Sequence, residues 1–252
     1  MTIIVIKPWQ ARLLLGLAFA TFVAAGYHLS MQNVVPVTGG PPPVNAPLFE
    51  VAGAAGMVAL TVNVDWGEEE IPALLEVLDK HQAKATFFLT GTWARKNAKL
   101  VAEIARRGHE IANHGTSHVH PRRLSNQELM AHILDNHEEL QKLSGGRVAR
   151  LYAPPYGEWD RRIVEQAAKL GFRTVLWTID TRDWQDPPAA TIVNRVIPKA
   201  VAGTIILMHP KPNTVAALPS ILTGLEVKGL RAVTLSEMLA AVQAAYPQEN
   251  IS

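Results

Sequence analysis

No cysteine occurs in the 252 residues. Disulfides, thiolate–zinc sites and thiol nucleophiles are thereby excluded. Such a chain suits work outside a reducing cytoplasm without depending on oxidation. Any metal has to be held by His, Asp or Glu. Excess charge is scarce too: 24 Lys and Arg face 22 Asp and Glu, a formal net charge of +2. With no basic block, acidic tail or basic–aromatic interleaving, nucleic acid is not indicated as a partner. The length is near the upper end for one domain with a single core.

One long apolar run is present. Lys7 and Arg12 precede LLLGLAFATFVAAG (Leu13 to Gly26), and residues without Asp, Glu, Lys or Arg continue toward Val35. At 1.5 Å per residue this stretch reaches roughly the 30 Å of a bilayer core. Residues 1–33 are therefore expected to be a signal peptide or an N-terminal membrane helix, the anchor being preferred. Positive charge on the N-terminal side directs the downstream chain outward. That implies an exported, membrane-anchored protein on the cell-surface side of the cytoplasmic membrane. The run VVPVTGGPPPVNAP reads as a semi-rigid Pro/Gly linker. We take residues 34–54 as linker and 55–247 as the folded domain.

Within the domain, apolar period switches repeatedly between two and 3.6. Strands are expected at 57–64, 85–90, 109–113, 148–152, 172–179, 204–208 and 230–234. Helices are expected to open at Glu68 and to cover 100–107, a segment started by the capping box Ser125-x-x-Glu128, 161–170, 191–201, 218–228 and 236–245. About seven strand–helix alternations predict an α/β fold, a barrel or a doubly wound sheet with parallel strands. In a barrel, chemistry gathers at the C-terminal ends of strands.

Those ends carry unusual residues: Asn63-Val-Asp65-Trp-Gly67, Asn113-His114 with His118, Ala153-Pro-Pro-Tyr-Gly157, Asp180-Thr-Arg-Asp183-Trp184 and Leu207-Met-His209-Pro210. Imidazoles four residues apart can converge on one cation, on a helix face or across a tight loop. Each segment alone has an ordinary explanation, such as a cap, a rigid turn or a satisfied core histidine. Their coincidence at successive strand ends marks a site.

As a set, these segments resemble the polysaccharide deacetylases of carbohydrate esterase family four, the NodB-homology domain, over about residues 55–245. The NVDWGEE and APPYGE segments are most similar to its sporulation-associated, membrane-anchored branch. The resemblance implies a distorted (β/α) barrel, often seven-stranded, and a divalent metal, zinc before others. It also implies removal of N-acetyl groups from N-acetylglucosamine units of peptidoglycan or chitin-like glycans. Carried over by position, His114 and His118 would bind the metal, with Asp65 as its carboxylate. His209 would be the general acid, held charged by Asp183, and Tyr156 would offer its backbone N–H to the oxyanion. Leu207 would receive the acetyl methyl, while Trp184 and Pro155 complete the substrate groove.

Two departures stand out. Aligned on Thr61, the family's catalytic base position holds Asn63, whose amide cannot take a proton. The ligand position then falls on Val64, so Asp65 serves only with a one-residue shift. Anchoring on Gly67 makes Asp65 the base but puts Trp66 at the ligand position. The family's Arg before Pro-Pro, partner of the base, is Ala153. Losing both partners spares the roughly 3–5 kcal/mol penalty of half a buried ion pair, which reads as remodelling. The expected function is a slow metal-dependent glycan N-deacetylase. The alternative is a catalytically impaired glycan-binding pseudoenzyme in envelope or spore assembly. A further reading is a metal amidohydrolase acting on a small substrate.

Overall fold

Strand β1 (Met57–Val64) is the centre of the molecule, and seven of its eight residues are buried. A parallel strand covered on both faces reads as a continuous apolar run, which is why MVALTVNV alternates so weakly. The computed structural model describes residues 43–245. Seven strands make one path: β2 (Ala85–Leu89), β3 (Glu110–Asn113), β4 (Val148–Tyr152), β5 (Arg173–Thr174), β6 (Ile179–Asp180) and β7 (Ile205–Met208) join β1 in the order β5-β4-β3-β2-β1-β7-β6. A short β8 (Arg231–Val233) pairs with the start of β1. All these pairings are parallel. The result is the expected distorted (β/α) barrel, open between β5 and β6.

The helices are α1 (Ile71–Lys80), α2 (Gly91–Lys96), α3 (Ala98–Arg106), α4 (Asn126–Ser144), α5 (Arg161–Lys169), α6 (Ala189–Val196), α7 (Pro212–Val227) and α8 (Leu235–Ala245). Val58, Leu60, Val62 and Val64 share one apolar cluster with Leu74, Leu78, Ile104, Ile192 and Leu218 of the helices. The opposite face of β1, starting at Ala59, joins Phe88, Ala112, Ala153 and Ile205 in a second cluster. Asn63 shares its parity with Ala59, so it stands above that cluster at the strand's C-terminal end. Ser125 and Glu128 form both bonds of the expected capping box, and α4 stops at Gly145 in the left-handed conformation.

Two segments differ from the sequence reading. The run 172–179 is not one strand. It splits into β5 and β6 at opposite edges of the sheet, because Val175 to Thr178 must cross the opening. Part of the expected linker fills that same opening. Leu48 N–H donates to Thr174 O (2.9 Å), Leu176 N–H donates to Leu48 O (2.8 Å) and Val51 N–H donates to Gly203 O (2.9 Å). Leu48 and Val51 are fully buried. The expected N-terminal helix, residues 1–33, lies outside the described residues. Among the described residues, no helix is long and apolar enough to cross a membrane.

Candidate active site

His114 comes directly after β3, and its N–H donates to Leu89 O (3.1 Å), extending the ladder by one residue. The segment from His114 to His118 is a loop, not a helix. Gly91 N–H donates to Gly115 O (3.0 Å), and Thr92 N–H donates to Thr116 O (2.8 Å), fastening it to α2. Asn113 fastens it to α4: its Oδ1 accepts from Gly115 N–H (2.7 Å) and Asn136 Nδ2 (2.8 Å). The two imidazoles meet edge to face with centroids 5.2 Å apart.

The donor chemistry of this pair fits a divalent cation. With Nδ1 donating to Ala153 O (2.6 Å), His114 keeps an Nε2 lone pair. Burial, then the neighbouring His118, push its pKa down to about 3, so the ring is neutral at neutral pH. Burial also lowers His118, against an opposing pull from the Asp65 carboxylate. Asp65 is near enough to act on His118 alone of the two, and its Oδ1 accepts from Thr90 Oγ1 (2.7 Å). It does not line the cavity that the histidines line. Among the described residues, no three His, Asp or Glu side chains form a closed metal-binding group.

The cavity, about 350 Å³, is bordered by Asn63, Trp66, His114, His118, Tyr156 and His209, with Trp184 and Leu207 also on its wall. Asn63 is only 7% exposed. His209 is gripped from behind. Its Nδ1 meets Asp183 Oδ1 (2.8 Å) and its backbone N–H donates to Oδ2 (2.6 Å). Thr214 Oγ1 donates to the same Oδ2 (2.7 Å), and Asn213 Nδ2 donates to Asp183 O (3.0 Å). Burial pushes the fully enclosed Asp183 up, but the bonds from His209 and Thr214 outweigh it, and the carboxyl titrates below its ordinary range. Trp66 stacks on the His209 ring at 6.0 Å, so it is a wall and not a ligand.

Tyr156 occupies the left-handed region at φ 60°. The turn's internal bonds come from Gly157 N–H to Pro154 O and Glu158 N–H to Pro155 O, and neither uses Tyr156 N–H. Its ring stacks on His120 (4.1 Å), which in turn meets Glu158 Oε1 (2.9 Å). Pro155 is buried in the turn and does not line the cavity. The sequence reading assigned no role to Trp177, Asp180 and Gly157 on the wall, nor to Thr90, Asn213 and Thr214 behind it. Gly157 and Asp180 fall within the strand-end segments singled out above, whereas Trp177, Thr90, Asn213 and Thr214 have no local signal.

The polysaccharide deacetylase profile matches residues 51–175. The protein YlxY of Bacillus subtilis is 36% identical over 193 residues, covering 77% of this chain and 60% of that relative. A peptidoglycan-N-acetylglucosamine deacetylase of Bacillus cereus is 35% identical over 197 residues, covering 76% and 92%. BA3943 of Bacillus anthracis, described as a CE4 family pseudoenzyme, superposes with a TM-score of 0.75 at 34% identity, covering 77% and 69%. A mutant of it is described as having restored enzymatic activity. The chain belongs to the polysaccharide deacetylase family of hydrolases, carbohydrate esterase family four, and carries an atypical catalytic motif.

Proposed function

We propose that this chain is a slow, metal-dependent N-deacetylase of N-acetylglucosamine polymers in the cell envelope. The observation that carries this reading is the grip on His209, whose exposed edge borders the same cavity as the His114–His118 pair. In this reading the reacting sugar lies against Trp184, with its acetyl methyl toward Leu207. Tyr156 N–H donates to the carbonyl oxygen as negative charge develops there. A divalent cation, zinc before others, would be held by His114 and His118 and would supply Lewis acidity toward the acetyl carbonyl and water. His209 Nε2 protonates the departing amine while Asp183 holds the ring by Nδ1. The missing base at Asn63 makes turnover slow, since a positioned base contributes roughly 10²–10⁴-fold. The N-terminal apolar run supports an exported, membrane-tethered location.

A second reading is glycan binding without turnover, in envelope or spore assembly, and the likeness to the BA3943 pseudoenzyme favours it. Acetate release from chitotetraose and from peptidoglycan fragments by the full chain with zinc or cobalt separates the two. Slow release that His209→Ala abolishes, and that Asn63→Asp with Ala153→Arg raises by about 10²-fold, supports the enzyme. Release by the double variant alone supports the impaired binder. Silence of both overturns the enzyme reading.

A further inference from the structure

We propose that a cleft beside the catalytic cavity is a subsite for a carboxylate carried by the glycan itself, so that the substrate is an acidic strand. This rests on the proposed glycan specificity. The cleft, about 360 Å³, is lined by Arg182, Arg195 and Lys199 together with Trp177 and Asp180. Trp177 and Asp180 also line the catalytic cavity, so the two spaces share a wall. The Trp177 ring is wedged against the Pro-Pro-Tyr-Gly turn: a Cβ on Gly157 would lie 2.4 Å from it. A sugar chain leaving the catalytic cavity on this side crosses a fixed indole face before it meets the cations.

Asp180 is the one carboxylate in the lining of this cleft. Among the described residues, no carboxylate forms an ion pair with Arg182, Arg195 or Lys199; Lys211, the cation over Trp66, is paired with Asp186. Asp180 Oδ1 is engaged by the backbone N–H of Arg182 (2.8 Å), and Arg195 Nη1 donates to Thr181 O (2.9 Å). Two guanidiniums and an ammonium thus converge on a concave surface opposed by one carboxylate. Neutral sugar hydroxyls would leave that charge without a counter-charge, whereas a carboxylate suits the guanidinium fork. In peptidoglycan every second sugar bears a lactyl acid or the peptide built on it. A neighbour of the reacting N-acetylglucosamine therefore brings a carboxylate to this side.

The test titrates the full chain, by its tryptophan fluorescence, with chitotetraose and with a tetrasaccharide alternating N-acetylglucosamine and N-acetylmuramic acid. The acidic tetrasaccharide should bind about tenfold more tightly at low ionic strength, the preference shrinking with salt. Arg182→Gln with Lys199→Gln, both exposed residues, should cut the preference to about threefold or less while leaving chitotetraose affinity unchanged. Equal affinity for both glycans overturns the subsite alone. Equal weakening of both by the double variant does the same. Binding of neither glycan overturns the glycan reading and the subsite with it.

Discussion

At the residue scale, Asp183 does more than orient one ring. Its two oxygens take three donors, from His209 N–H, His209 Nδ1 and Thr214 Oγ1. An amide at this position turns one acceptor into a donor, so a buried donor loses its partner or His209 is forced into the other tautomer. Asp183→Asn is expected to cost about 1–3 kcal/mol in urea unfolding at neutral pH. The folded state lowers the carboxyl's pKa, so this charge-dependent stability is complete above the ordinary carboxylate value of 3.8. It is lost as pH falls through the lower native value. The gap between variant and wild type should therefore stay level above roughly pH 5 and narrow only in stronger acid. A gap that closes nearer neutrality would show that the carboxylate is not what holds His209. His209 and Asp183 were legible as short segments at strand ends. Thr214, thirty-one positions from Asp183, was not, because a threonine near a helix start has many ordinary uses.

At the element scale, the loop from His114 to His118 depends on Gly115. Its φ is +83°, and a Cβ there would lie 1.8 Å from His132 Nε2 on α4. His132 cannot simply swing away, since its Nδ1 meets Thr116 Oγ1 (2.9 Å). Gly115→Ala combines a left-handed alanine with overpacking, and is expected to lose about 2–4 kcal/mol. Cobalt binding, monitored by its visible absorption, should weaken in the same variant because the loop carries both imidazoles. Unchanged stability and cobalt affinity would mean that the loop is not clamped against α4. The sequence left a helix or a tight loop equally open for this pair. The structure selects the loop because Gly91 and Thr92 of α2 on one side, and Asn113 on the other, bind its backbone. Apolar period alone also joined residues 172–179 into one strand, since an edge-crossing segment is as hydrophobic as a strand.

At the scale of the whole molecule, four buried histidines, His109, His114, His132 and His137, link folding to pH, and the first three carry the largest shifts. Burial, the largest cause for each, lowers His109 and His132 to about 4 and His114 to about 3, from 6.5. As pH falls below 6.5 the unfolded chain takes up protons that the folded chain refuses, so stability falls. Each histidine contributes up to about 1.4 kcal/mol per pH unit, roughly 4 kcal/mol for three. Urea unfolding of the full chain with EDTA, compared at roughly pH 7 and roughly pH 5, should show this loss. A flat profile would mean that these rings are hydrated in the folded protein.

The alternation of strand and helix, the imidazole pair, the late histidine and the amide at Asn63 are all legible along the chain. Each of these is written in a period or in neighbours a few residues apart. Folding in three dimensions was needed to bring Leu48 and Val51 into the gap between β5 and β6. It also joined Trp177 and Asp180 to both the catalytic cavity and the basic cleft. Those contacts join distant segments through backbone pairing and shared packing, and no local pattern of residues encodes which strands become the edges of a curled sheet.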